Sequence, residues 1–341
     1  MRAAVMRNKQ LVVDEIADPV PQSGQVLVRT LACGICGSDL HTLQHGEQMV
    51  ELSKESGAPF VMDLSRDVVM GHEFSAEVVE IGPDAGDNLR PGDVVVSMPV
   101  VIGPSGVQGI GYSNDYPGGY SELMVLSSML TMKVPNGLSF EHAALTEPMA
   151  VGRHAVNRSA IAKGSTAIVL GCGPVGLAVI ADLRLKGIAP IVAADFSPAR
   201  RSLAETMGAH VVVDPREQPA IDAWREATGG MKQLVIFEAV GVPGMIDQAM
   251  SAAPRGTKIL VVGVCMENDP IRPMLGIAKE LDVSFALGYD PMEFGGTLRS
   301  IAEGELDVAP LITGRVDLDG VPTAFRDLSN PEVHCKILVE P

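Results

Sequence analysis

"IVLGCGPVGLAVIADLRLKG", residues 168–187, is an apolar run that breaks into a glycine turn and resumes as a helix-forming segment. Gly171, Gly173 and Gly176 stand in the spacing G-x-G-x-x-G, a weak pattern by itself in a chain with 36 glycines. Its setting gives it weight: a strand-like run precedes it, a helix-forming run follows, and Asp195 closes the next apolar stretch, "IVAAD". The first glycine permits the tight turn, the second lets a pyrophosphate approach the backbone, and the third lets helix and strand pack closely. The helix N-terminus then favours the anion. Gly171, Gly173, Pro174, Val175 and Gly176 are therefore expected to cradle a dinucleotide. Asp195 is placed to accept bonds from both ribose hydroxyls and to repel a 2′-phosphate, which predicts NAD rather than NADP. Arg200 is expected to line the same site; it and Arg201 follow on the next helix, where arginines accommodate a phosphate or form a solvated face.

Outward from this turn the pattern alternates. Strand-like runs "TAIVLG", "IVAAD", "HVVVD", "QLVIFEAV", "KILVVGV" and "VSFALGY" are separated by helix-length segments such as "SPARRSLAETMG" and "PGMIDQAMSAAPRG". Such alternation predicts a parallel sheet covered on both faces, assigned to residues 151–289. The first 150 residues read differently, as short β-rich segments broken by Gly and Pro, and predict an antiparallel, barrel-like domain. The tail from residue 290 begins with the helical "GTLRSIAEGEL" and ends with "HCKILVEP" in that earlier style. The fold expected is α/β, with the parallel-sheet domain inserted between two parts, 1–150 and 290–341, of a β-rich domain. A length of 341 residues suits two domains, each with its own core.

Composition narrows the function. With 46 % hydrophobic and 20 % charged residues the chain has globular character. A formal charge of −16 repels phosphate backbones and anionic headgroups, which points away from nucleic acid and membrane and toward a small-molecule substrate. The N-terminus carries charges every few residues without the apolar core of a secretory signal, so a cytoplasmic location is expected. The longest apolar run, Ala167 to Ala181, falls short of the roughly 20 residues that span a bilayer. Five irregularly spaced cysteines argue for reduced thiols, with any functional one a metal ligand or a nucleophile.

One cysteine has partners to suit. "LACGICGSDLH", residues 31–41, holds Cys33 and Cys36; "VVMGHEFSAEVVEIG", residues 68–82, holds His72 and Glu73; "LTEPMAVGRHA", residues 145–155, holds Glu147 before a proline. A catalytic metal generally takes three protein ligands and leaves one position open, and sulfur, imidazole and carboxylate from separate segments suit zinc.

"GICGSDLH", "GHE", "EPMAVGRHA" and "GCGPVG", in that order across essentially the whole chain, resemble the zinc-dependent medium-chain dehydrogenase/reductase (alcohol dehydrogenase) superfamily. Glutamate at the "EP" position is similar to the polyol, butanediol and threonine dehydrogenase branch. The resemblance implies a GroES-like β-rich catalytic domain, a Rossmann NAD-binding domain, and a catalytic cleft between them. It implies Cys36 and His72 as zinc ligands, with Glu147 or Glu73 as the third and the other carboxylate holding water. Asp39 is implied as the residue that orients His72, and Ser38 and His41 as the relay that carries away the alcohol proton. The reaction implied is reversible oxidation of a secondary alcohol, diol or polyol to a ketone, zinc acting as Lewis acid and NAD accepting hydride. Alternatives are apolar secondary alcohols or hydroxy amino acids as substrates, and a non-catalytic NAD-binding protein that has lost the reaction. An adaptable apolar pocket is hinted at by 17 methionines with only 4 % aromatic residues.

Two departures from that family stand out. Many relatives hold a structural zinc with four cysteines after "GDVV", whereas "SMPVVIGPSGVQGIGYSNDYPGGYSEL" has none, so one zinc per chain is expected. The interval from Cys36 to His72 is also long, and the inserted residues around "QMVELSKESGAPFVMDLSRD" are expected to line the pocket, meet a neighbouring subunit, or form a solvated loop. Cys33 is expected to be a packed small hydrophobe, and Cys172, Cys265 and Cys335 match no ligand position. The resemblance further implies a homodimer or homotetramer paired along the edge near "ILVVGV" and "VSFALGY".

Overall fold

The computed structural model describes residues 1–230 and 232–341. Six parallel strands form one sheet in the spatial order Val211–Val213, Ile191–Ala194, Thr166–Leu170, Leu234–Glu238, Lys258–Val261, Asp282–Phe285. Its strands are apolar on both faces because helices cover both. Ala167 and Val169 pack with Leu177 and Ile180 on one side, while Ile168 packs with Trp224 and Met250 on the other. Sequence order reverses beside Thr166–Leu170, so the crevice outside the C-terminal ends of the strands opens at that point. There Gly171 takes φ +89°, a conformation that favours glycine, and Gly173 leads into the helix Pro174–Leu185. A Cβ on Gly176 would collide with the Gly171 carbonyl, so the close helix–strand approach demands glycine.

The second body is a predominantly antiparallel sheet in the order Thr131–Lys133, Val94–Ser97, Glu73–Ile81, Gln25–Gly34, Lys336–Val339, Ile312–Val316, with Leu123–Ser127 also paired to Gln25–Gly34. Its register matters for chemistry. Gly34 pairs with Glu73 and Leu338 with Gly34, so the chain leading to Cys36, the strand beginning at Glu73 and the closing strand converge at one sheet end. A smaller sheet of Arg2–Arg7, Gln10–Glu15 and Val68–Val69 lies beside it, and a hairpin, Val100–Gly103 with Gly106–Gly109, follows the strand Val94–Ser97. The helix Pro291–Ala302 packs Phe294 and Leu298 against Val96, Ala143 and Ala150.

One expectation is narrowed and one corrected. The residues after Cys36 form a 20-residue helix, Gly37–Ser56, and of the readings open for the inserted stretch it is pocket lining that the cleft supports, through Met49, Leu52 and Phe60. The Asp39 carboxylate accepts from the Cys36 backbone N–H at 3.0 Å and starts the helix, and Gly57 at φ 74° ends it. The strand read from "VSFALGY" stops at Phe285, four residues short of Tyr289. Among the described residues, no helix is long and apolar enough to cross a membrane.

Candidate active site

The converging strand ends bring together one ligand atom each from Cys36, His72 and Glu73, all within 4.8 Å of one another. Cys36 is the residue before the first turn of the helix Gly37–Ser56, and His72 precedes the strand Glu73–Ile81. Gly71, at φ +102°, makes that approach possible; a Cβ there would press on Tyr120 and Cys33. Cys33 itself is fully buried on the strand Gln25–Gly34, and burial raises its thiol pKa well above the usual range.

His72 is buried, and its Nδ1 lies 3.4 Å from Asp39 Oδ1 without a hydrogen bond of good geometry. Burial opposes protonation of His72, but the Asp39 charge and the Cys36 sulfur outweigh it and hold the metal-free imidazole pKa well above its ordinary value. Asp39 has no solvent exposure. Tyr120 donates to its Oδ2 at 2.7 Å and Tyr112 to its Oδ1 at 3.3 Å. Burial raises the Asp39 pKa, but the His72 charge and the hydrogen bonds from Tyr120 and the Cys36 N–H bring it below the ordinary carboxylate value. Ser38 Oγ lies 2.9 Å from the same Tyr112 hydroxyl, whose one proton is shared between Ser38 and Asp39. His41, one helical turn on, also lines the cleft, and burial followed by neighbouring His45 lowers its pKa.

The two glutamates have different surroundings. Glu73 receives the Lys336 ammonium on both oxygens, at 2.8 and 2.6 Å. Glu147, in the first turn of the helix Thr146–Ser159, has no such cation within hydrogen-bond reach; the Tyr289 hydroxyl donates to it at 2.9 Å. Burial raises the Glu147 pKa to about 7, with the Glu73 charge adding to the rise and His72 opposing it. Glu147 lines the same cleft but falls outside the close group of three.

That cleft, about 1150 Å³, runs from these residues to the glycine turn, where Gly171, Gly173, Pro174, Val175, Asp195 and Arg200 line it. Gly176 sits behind them in the turn's packing. The Asp195 carboxylate accepts from the backbone N–H groups of Cys172 at 2.8 Å and Ser197 at 2.9 Å. Arg200 lies 3.9 Å from Asp195 and close to Gly173, whereas Arg201 turns to Asp214 and the backbone of Asp195 and Phe196.

Sequence patterns match the description "Zinc-binding dehydrogenase" over residues 174–303 and "Alcohol dehydrogenase GroES-like domain" over residues 22–136. The chain is 35 % identical to (R,R)-butanediol dehydrogenase of Bacillus subtilis (strain 168), with all of both sequences covered. It belongs to the zinc-dependent medium-chain alcohol dehydrogenase family. The dehydrogenase is also 29 % identical to a Bacillus subtilis sorbitol dehydrogenase, covering all of this chain and 97 % of that one. The crystal structure of 2R,3R-butanediol dehydrogenase from Bacillus subtilis superposes with a TM-score of 0.86 at 33 % identity, covering 100 % of this chain and 99 % of that chain. A zinc-binding dehydrogenase from Sinorhizobium meliloti 1021, bound to NADP, gives 0.84 at 28 % identity over the same shares. The polyol and butanediol resemblance, the GroES-like plus Rossmann fold and the alcohol-oxidising class are thereby shown for this dehydrogenase.

Sequence reasoning missed Tyr112, Tyr120, Tyr289 and Lys336 at this site. None belongs to a short motif. The available signals were a lone lysine in the apolar closing run "HCKILVEP", and tyrosines in a segment otherwise rich in glycine.

Proposed function

We propose that this dehydrogenase interconverts a secondary alcohol or diol and the corresponding ketone, using one zinc and NAD. The observation that carries the reading is the convergence of Cys36, His72 and Glu73 within 4.8 Å at the cleft that also reaches the glycine turn.

The donor set fits zinc. Thiolate, imidazole and carboxylate are the ligand types that zinc takes. The buried His72 Nδ1 without a satisfactory partner fits as well, because a metal-bound imidazole directs its other N–H at an orienting carboxylate, here Asp39. Cys36, His72 and Glu73 would hold the ion, with Glu147 as the neighbouring carboxyl. When bound, zinc supplies Lewis acidity that lowers the pKa of an alcohol, and NAD supplies the hydride acceptor.

The chain's own groups do the rest. Tyr112 fixes the Ser38 hydroxyl, which receives the substrate proton, and His41, kept neutral by burial, accepts it farther out. Tyr120 holds Asp39 in place 3.4 Å from His72 Nδ1, where it would orient the ring. Tyr289 holds Glu147 at the cleft wall, beside the proposed donors. Gly171, Gly173, Pro174, Val175 and Gly176 leave backbone room for the pyrophosphate. Asp195 would meet the adenosine ribose of a bound NAD, and its charge would disfavour a 2′-phosphate despite Arg200 at 3.9 Å. We place the enzyme in the cytoplasm as a homodimer or homotetramer, and divide its chain into 1–150 with 290–341 and 151–289. Reduction of NAD by a panel of secondary alcohols and diols, abolished by chelator and restored by zinc, tests the reading; chelator-resistant turnover overturns it.

A further inference from the structure

The long helix Gly37–Ser56 builds a compartment beyond the metal donors. Its cleft-lining residues recur at helical spacing and set Leu40, Met49 and Leu52 among His41, Gln44 and Ser56. The segment after it turns back and brings Pro59 and Phe60 to the same cavity, which Met98 and Val100 also line.

This wall is fixed in place. Gly109 N–H donates to the Pro59 carbonyl at 2.8 Å, Val61 N–H donates to the Tyr112 carbonyl at 3.0 Å, and Val61 bridges Ser113. The Phe60 ring lies 4.7 Å from the Tyr112 ring, which lies 5.3 Å from His72. The apolar wall is thus continuous with the donor group. Past His41 and Gln44, from Met49 to Phe60, the lining holds no acid, amide, histidine, lysine or arginine. Ser53 and Ser56 spend their hydroxyl protons on the carbonyls of Ala58 and Leu52 and also accept from the backbone N–H groups of Phe60 and Ala58. A polyol chain would find few free partners there, and hydroxyls buried without partners are costly.

We propose that the alcohol oxidised here carries an apolar substituent, longer than the methyl of a butanediol, seated among Met49, Leu52, Pro59, Phe60, Met98 and Val100. The inference rests on the reading of the neighbouring donors as an alcohol-oxidising centre. The inserted segment is then a specificity element.

The test uses zinc-loaded enzyme with NAD and a series of secondary alkanols from isopropanol upward, beside butanediol and sorbitol. Each buried methylene is worth ~0.8 kcal/mol, so kcat/KM rises about fourfold per methylene until the compartment is full. Sorbitol falls below the longer alkanols. Calorimetric titration of the enzyme–NADH complex with primary alkyl amides reads the compartment without turnover, and the dissociation constant falls in parallel. Leu52→Asn, at a half-exposed rim position, lowers the long-to-short ratio in both measurements. A flat or declining series, a preference for sorbitol, or an unchanged ratio in Leu52→Asn overturns the proposal while leaving the reaction standing. Chain-length-dependent amide binding with no alcohol oxidised supports the compartment and overturns the reaction.

Discussion

Lys336 and Glu73, 263 positions apart in sequence, form a salt bridge of 2.6 Å with both side chains removed from solvent. Burial alone would favour neutral lysine, but the Glu73 charge outweighs it and raises the Lys336 pKa above its ordinary value. Lys336 also donates to the Ile35 carbonyl at 3.0 Å, so the closing strand braces the segment that carries Cys36. Glu73 therefore lies between a buried cation and the other two candidate donors, Cys36 and His72.

Removing one partner of a buried pair typically costs 3–5 kcal/mol, because the other charge is left uncompensated. Lys336→Met is expected to lose about that much in urea unfolding of the metal-free protein. Zinc should restore part of the loss by supplying Glu73 with another cation and by binding only the folded state. Equal losses with and without zinc would show that Glu73 does not face the metal.

Asp39 receives the Tyr120 hydroxyl and the Cys36 backbone N–H, with the Tyr112 hydroxyl 3.3 Å away, an arrangement that suits a group that orients His72. Asp39→Asn is expected to weaken zinc binding by about 10–100-fold, the usual effect of removing such a partner. Competition with a chromophoric chelator measures it, and unchanged affinity would assign Asp39 to helix capping alone.

Glu147 gives the metal-free protein a distinctive pH dependence. Its folded pKa of about 7 lies above the ordinary 4.5, so the folded chain retains a proton that the unfolded chain releases between those values. Stability is highest below the unfolded value, falls as pH rises from about 4.5 toward 7, and levels off above, by roughly 3 kcal/mol from this group. Denaturant titrations across that window should show the slope in wild type and lose it in Glu147→Gln. Zinc should flatten it too, because a nearby cation favours the carboxylate; a slope indifferent to both changes would place its origin elsewhere.

Asp195 should set cofactor preference. Wild-type kcat/KM is expected to favour NAD over NADP, and Asp195→Ser should narrow that ratio by at least about tenfold, or ~1.4 kcal/mol. Equal efficiency with the two cofactors in wild type would mean that Arg200, 3.9 Å away, governs the choice instead.

Much of this site was legible in the sequence because its motifs are local. "GCGPVG" lies between an apolar strand and a helix, and "GHE" and "CGSD" flank strands whose pairing joins them at Gly34 and Glu73. The helix Gly37–Ser56 was hidden because Gly46 and a break at His45 interrupt it and charges of both signs obscure its faces. Lys336 and Tyr289 were hidden for a different reason. Each reaches its carboxylate only through tertiary packing, from 263 and 142 positions away, and no spacing rule spans such distances.

The most direct measurement is zinc per chain by elemental mass spectrometry, on protein purified without chelator or affinity-column metal, with Cys36→Ser beside it. About one zinc is expected in wild type and almost none in the variant, since Cys36 supplies the sole sulfur of the donor group. Wild-type protein that holds no zinc after zinc is offered and dialysed away would contradict that expectation, as would a Cys36→Ser protein that keeps its full complement.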